Sequence, residues 1–266
     1  MKQKLSPAQL KVKRKLNYHY KYFDFTKISP DPLEFPHRYN DYHDIEISSF
    51  ISAIFAYGNI KQIIKSLEII HAAMGESPYE FVINYSEEKD SQNFKLLKHR
   101  FYTPDDINNL FLGLQKIYSV YGSLKYLFLL YYFEKDTSIK NSLSFFAKNL
   151  LSISTKNKKV SRGMKFMFPD PALGSACKRF NLFLRWMVRN DDLDFGLWFE
   201  IDPSKLIIPV DTHVAAIGKK LRLTRGKIIS WKMAEEITNK LKLYDADDPV
   251  KYDFAICHIG MRKMDF

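Results

Sequence analysis

Along most of the 266-residue chain apolar residues recur every three to four positions, the spacing of helices that bury one face. PAQLKVKRKLNYHYKYF (7–23) reads as an amphipathic, basic helix. DIEISSFISAIFAYG (44–58) is strongly apolar and stops at Gly58, and IKQIIKSLEIIHAAMG (60–75) repeats the pattern and also stops at a glycine. TPDDINNLFLGLQKIYSVYG (103–122) opens on a threonine cap, a proline and two acids, and ends at Gly122. SLKYLFLLYYFEK (123–135), SIKNSLSFFAKNLLSI (138–153), SACKRFNLFLRWMVR (175–189), DTHVAAIGKKLRL (211–223), SWKMAEEITNKLK (230–242) and PVKYDFAICHIGMRK (249–263) complete the series. The polar, basic, glycine-containing STKNKKVSRGMK (154–165) predicts a loop, and only KLIIPV (205–210) looks extended. No repeat of fixed period and no low-complexity tract is visible. The expected class is all-α.

Composition narrows this picture. With 46% hydrophobic residues the chain can bury a substantial core, as one domain or two closely packed lobes. A formal net charge of +11 favours a polyanionic partner such as nucleic acid or an anionic membrane surface. No apolar run approaches a membrane span, and the basic start MKQKLSPAQLKVKRKL lacks the apolar core of a signal peptide, so a soluble, cytoplasmic protein is expected. Cys177 and Cys257 are too few for a disulfide framework or a four-thiolate metal cluster. The 15% aromatic content calls for packing or base stacking.

Candidate chemistry concentrates in the last third. In PDPALGSACKRFNLFLRWMVR (169–189) two prolines and Gly174 make a tight turn, and a helix starts at about Ser175. Lys178 then falls in the first helical turn, where the partial positive charge of the helix end disfavours an ammonium and favours a neutral, nucleophilic amine. An ordinary solvated lysine is the plain alternative. The backbone N–H groups of such a turn form a ready phosphate site, and a simple helix connection would look similar. In IIPVDTHVAAIGKKL (207–221) Asp211 stands where an N-cap is expected, and a carboxylate fixed that way is also placed to stabilise a developing cation. His213 is taken as a packed or surface histidine.

Gly174-Ser175-Ala176-Cys177-Lys178 followed by Pro209-Val210-Asp211-Thr212-His213-Val214 resembles the signature of the helix-hairpin-helix DNA glycosylases, the superfamily of endonuclease III and 8-oxoguanine DNA glycosylase. FAICHIGMRK (254–263) is similar to that family's last core helix. Helix 44–58 with its turn resembles the helix that precedes the family's DNA wedge. Most of the chain looks like a bacterial branch of the superfamily, although the specific motifs occupy its last third. Ala176 replaces the second hairpin glycine, which alters how closely the backbone can approach a phosphate. The Lys178–Asp211 separation exceeds that of endonuclease III and is similar to that of the archaeal 8-oxoguanine glycosylases. The four-cysteine tail that holds endonuclease III's iron–sulfur cluster is missing.

The resemblance implies a two-lobed helix-hairpin-helix fold with a DNA cleft between the lobes. One lobe would span 40–190 and the other 1–39 with 191–266. It implies a bifunctional DNA glycosylase and AP lyase acting as a monomer on damaged double-stranded DNA in the bacterial nucleoid, with 8-oxoguanine as the expected base and no cofactor or metal. Lys178 would be the nucleophile and Asp211 its electrostatic partner. Gly174, Ser175 and Ala176 would meet the DNA backbone. Asp253, Phe254, Cys257 and His258 would wall the base pocket, with Phe254 stacking on the purine or simply packing in the core. Tyr57 and Asn59 would fill the gap left by the flipped base, although a helix C-cap explains Asn59 as well.

Basic residues around the hairpin support a DNA partner: Lys156, Lys158, Lys159, Arg162 and Lys165 before it, Arg179, Arg185 and Arg189 after it. A solvated loop and helix face is the usual fate of such a run. Other classes compete. A non-catalytic DNA-binding protein could keep the same fold. HDIE (43–46) suggests a zinc deaminase, but no Pro-Cys-x-x-Cys accompanies it. A helical scaffold with a basic surface has nothing specific in its favour.

Overall fold

The computed structural model describes residues 5–156, 159–262 and 264; Lys158, and Lys263 at the end of the last expected helix, lie outside the described residues. The protein is predominantly helical, and among the described residues the only strand-like pairings are two isolated bridges, His99–Tyr102 and Asn190–Phe195. The stretch 205–210 is buried but joins no sheet; the Ile208 N–H donates instead to Thr238 Oγ1 at 3.0 Å.

The chain divides into two compact units, Met1–Ser29 with Thr137–Ile139 and Gly174–Phe266, and Pro30–Asp136 with Lys140–Leu173. The expected cut at residue 190 therefore falls at 174 instead, and the expected cut at residue 40 falls at 30. The helix after the Gly174 turn belongs with the C-terminal elements because its charged partners come from them.

The first unit opens with α1 (Pro7–Tyr22), whose start is closed by a reciprocal Ser6–Gln9 capping box. The second unit contains α2 (Tyr42–Phe55), α3 (Ile60–Met74), α4 (Pro78–Ile83), α5 (Glu87–Asp90), α6 (Pro104–Tyr121), α7 (Leu124–Leu129), α8 (Lys140–Thr155) and α9 (Arg162–Met167). Helix α2 is buried from Asp44 to Phe55 and carries two acids with it. Both cap other helices. Asp44 accepts from the Tyr79 N–H (2.7 Å) and the Ser77 hydroxyl (3.0 Å) at the start of α4. Glu46 accepts from the Leu124 N–H (2.9 Å) and the Tyr118 hydroxyl (2.5 Å), so it holds the start of α7. The HDIE stretch is thus structural.

Part of the expected loop 154–165 is helical. Helix α8 runs to Thr155, and α9 begins at Arg162 because the Ser161 hydroxyl accepts from the Met164 N–H (2.9 Å). Gly163 is obligatory there: a Cβ would lie 2.0 Å from Asp106 Oδ2.

His71, 4% exposed in α3, lies against Phe35 and contacts Ser48 Oγ at 2.8 Å and the Leu67 carbonyl at 2.9 Å. Burial pushes its pKa down to about 4, with the Leu67 carbonyl opposing. Between its ordinary value and about 4 the unfolded chain binds a proton that the folded chain refuses, so stability falls as pH falls through that window. Chemical denaturation of wild type and His71→Gln from pH 7 to 4 should show the wild type losing up to about 3 kcal/mol relative to the variant. Parallel pH curves would contradict the assignment.

The chain completes the first unit with α10 (Lys178–Val188), α11 (Thr212–Lys220), α12 (Trp231–Leu241) and α13 (Asp253–Met261). Helix α13 packs on both α1 and α11. Its crossing with α11 is close enough that a Cβ on Gly260 would lie 2.9 Å from His213 Cβ and 3.2 Å from the His213 carbonyl. Gly260→Ala should therefore lower thermal stability by about 1–3 kcal/mol, read by calorimetry; an unchanged Tm would show that the crossing relaxes freely.

Candidate active site

Helix α10 is buried from Arg179 to Val188. Arg185 within it and Arg189 at its C-cap are buried guanidiniums, and such charges require anions. Arg185, 2% exposed, contacts Asp253 Oδ2 at 2.6 Å through one terminal nitrogen and Asp194 Oδ1 at 3.1 Å through the other. Arg189, 4% exposed, meets Asp194, Asp191 (2.8 Å) and Asp248 (2.9 Å). Burial pushes the Asp253 carboxyl up to about 6, with the Arg185 guanidinium opposing. For Asp191 burial acts upward but is outweighed by Arg189 and the N–H groups of Asp194 and Leu193, which hold it near 2. Asp253 is the first residue of α13, so the Arg185–Asp253 contact ties α10 to α13.

The start of α10, like those of α5 and α13, lacks a side-chain cap. Its N-cap, Cys177, sits in the left-handed region (φ 46°). Lys178 is the first helical residue; the helix begins there rather than at Ser175, because Ser175 Oγ accepts from the Cys177 N–H (3.2 Å) in the preceding turn. Gly174 takes φ 87° with open space where a Cβ would stand, and its carbonyl accepts from the Trp231 N–H at 3.0 Å. A turn anchored to α12 therefore precedes a helix N-terminus without a side-chain cap, the geometry that receives an anion.

Asp211 caps α11: one carboxylate oxygen, Oδ1, accepts from the His213 and Val214 N–H groups, both at 2.9 Å. That leaves Oδ2 at 3.7 Å from Lys178 Nζ and 3.9 Å from Cys257 Sγ. The two side chains are 27% and 24% exposed, so neither is sealed from a ligand. Helix α10 supplies the amine, α11 the carboxylate and α13 the thiol. Three helices of one unit converge on this point.

The remaining candidates divide. Asp253 is locked to Arg185, and Phe254 (6% exposed) and His258 (3%) pack against each other and Phe23. These three are interior groups; Cys257 contacts Asp211 directly, and the buried Asp253 carboxyl feels the charges of both Asp211 and Lys178 from behind. Arg179, Arg185 and Arg189 are buried, so the expectation that they neutralise phosphates is corrected. Gly174 is exposed, Ser175 half-buried and Ala176 buried.

In the other unit, Arg162 and Lys165 are exposed on α9, with Arg162 over the Phe101 ring (5.0 Å). Lys156 and Lys159 are also exposed. Tyr57 is half-buried: its hydroxyl donates to the His99 carbonyl at 2.6 Å and its ring packs on Tyr102 and Phe166. Asn59 is the N-cap of α3, accepting from the Lys61 N–H at 2.9 Å, and not a C-cap of α2. Among the described residues no group of three or more His, Cys, Asp or Glu is arranged to hold a metal, and no helix is long and apolar enough to cross a membrane.

Sequence reasoning missed the Arg185–Asp253–Asp194–Arg189 network. The signal was present: two arginines four apart inside NLFLRWMVR, followed at once by Asp191, Asp192 and Asp194.

Residues 31–262 match the family described as a protein of unknown function, DUF2400, and the chain belongs to that family. No curated protein and no solved structure matches the chain.

Arg185→Met should cost about 3–5 kcal/mol in urea unfolding, because it strands the buried Asp253 carboxylate and leaves Asp194 with Arg189 alone. A cost below about 1 kcal/mol would show that water already reaches the network.

Proposed function

We propose that the protein is a base-excision DNA glycosylase with an associated lyase step, acting through Lys178 and Asp211 on damaged double-stranded DNA, with 8-oxoguanine as the base removed. The observation that carries the reading is the approach of Lys178 Nζ to Asp211 Oδ2 (3.7 Å), with both groups open to solvent beside an uncapped helix start. The helix-hairpin-helix fold of the resembling family belongs to the same proposal, as does 8-oxoguanine, which rests on that family's long lysine-to-aspartate spacing.

In this reading the damaged nucleotide leaves the stack and meets the amine. The neutral Nζ of Lys178 attacks C1′ of the deoxyribose as the bond from C1′ to the base breaks. The base departs with the electron pair and is protonated. Asp211 carries negative charge beside the sugar while it is oxocarbenium-like, and accepts the proton that Nζ must lose. The sugar ring opens at the C1′–O4′ bond to give an iminium. The nitrogen lone pair forms the C=N bond, while O4′ leaves with the C1′–O4′ electron pair and takes the proton held by Asp211. Loss of a C2′ proton then expels the 3′ phosphate by breaking C3′–O3′. Hydrolysis of the imine returns the lysine. Phosphates flanking the lesion would dock at the Gly174–Cys177 turn, where backbone N–H groups and the helix field attract an anion.

A second reading, a DNA-binding protein that does not cut, draws support from the burial of Asp253, Phe254 and His258, which leaves the expected pocket wall closed. The two readings part in one assay. Incubation with a duplex carrying 8-oxoguanine, or another lesion from a panel, followed by borohydride should trap a covalent adduct that Lys178→Gln abolishes. Asp211→Asn should slow excision about 100-fold while duplex binding persists. No adduct with any lesion at low salt, alongside tight salt-dependent binding, would leave the non-catalytic reading standing.

A further inference from the structure

A second concave site lies in the same unit, away from the lysine and aspartate. A cavity of about 690 Å3 opens where α11 ends, lined by Lys219, Arg222, Arg225 and Lys240 together with Thr224 and Glu236. The four cations face one acid. None of the four side chains has a hydrogen-bond or ion-pair partner among the described residues. Lys219 and Lys240 stand in the last turns of α11 and α12, where the helix field already welcomes a cation, so they weigh less. Arg222 and Arg225 lie beyond the helix and have no such reason to gather.

The loop that carries them is held firmly. The Leu223 N–H donates to the Gly218 carbonyl at 2.8 Å. The Thr224 hydroxyl donates to Glu236 Oε2 at 2.6 Å and accepts from the Gly226 N–H at 2.9 Å. Leu223 and Thr224 are buried, and Arg222 is in the left-handed region at φ 58°, so both arginines are turned outward. Glu236, the one acid of the lining, accepts from the Thr224 hydroxyl and keeps its charge, so four cations face a single anion. Guanidinium forks held in a concavity with a surplus of positive charge favour phosphate, which they grip through paired hydrogen bonds.

We propose that this cavity holds backbone phosphates of a nucleic-acid strand. The positive field extends past the cavity: residues 212–234 contain six lysines and arginines and no acid, which suits a long polyanion better than a compact one. Helix α11 joins the two places, with Asp211 at its start and Lys219 at its end. Its length is roughly 13 Å at about 1.5 Å per residue. That spans about four steps of duplex at roughly 3.4 Å each. The cavity would therefore grip the duplex a few nucleotides from the one engaged by Lys178. This last assignment rests on the glycosylase reading; the phosphate site itself rests on its own charges.

Fluorescence anisotropy with an undamaged labelled duplex across a salt series tests it. Arg222→Gln with Arg225→Gln should weaken binding equally for unrelated sequences, with no change in Tm, and make the slope of log K against log salt shallower by about 2. Unchanged affinity and slope would overturn the proposal. So would loss of tripolyphosphate binding with duplex affinity intact, since the occupant would then be a small polyphosphate. Borohydride trapping by the same variant separates the two claims. No adduct in wild type sinks the excision reading and leaves the salt slope to decide the cavity; an adduct with an unaltered slope sinks the cavity alone.

Discussion

The burial of Arg185 within α10 and of Arg189 at its C-cap is the constraint on which the rest of the C-terminal unit depends. A helix enclosed on every side would ordinarily be apolar throughout. Here two guanidiniums enter the interior and must be answered by carboxylates, and the answers come from the 190–195 turn, from Asp248 and from the first residue of α13. The ion cluster is weak evidence of stability, because desolvating these charges offsets much of their attraction. Its value lies in geometry. Asp253 has one position in which it satisfies Arg185, and that position sets α13 against α10. Gly260 then lets α11 approach α13, and α11 brings its capping aspartate with it. The Lys178–Asp211 distance is thus a consequence of charges buried behind the site.

Much of the helical content was legible from spacing and caps. The helices at 7–23, 60–75 and 103–122 were readable to within a residue or two, the first from its amphipathic spacing and the others because Thr103, Gly75 and Gly122 are local signals that no tertiary contact overrides. The 154–165 segment misled: its composition suggests a loop, yet a serine cap and a glycine that fits against Asp106 allow a short helix. The extended stretch at 205–210 misled in the opposite sense, since apolar β-branched residues can be buried without a sheet when a side chain such as Thr238 receives the backbone.

The candidate site was legible only in part. Lys178 and Asp211 stood out because each sits at a helix start, a property of sequence. The roles of Arg185 and Arg189 were misread, because a lone string shows charge without showing whether water reaches it. Asp253, Phe254 and His258 were misassigned for a related reason. All lie on a short helix that is apolar nearly all round, and which face turns inward depends on partners distant in sequence. Asn59 shows the same limit on a smaller scale. It stands between two helices, and only the backbone decides that it starts the second rather than ending the first.

Membership of a family of unknown function leaves chemistry to be argued from this arrangement. An amine and a carboxylate on separate helices, half-buried and beside an anion-receptive turn, form a unit that imine chemistry on a sugar would use. The most direct test is to trap the wild-type protein on lesion-bearing duplex with borohydride, digest both components, and locate the sugar remnant by tandem mass spectrometry. The account predicts the added mass on Lys178. A remnant on the N-terminal amine or on any other lysine would contradict it.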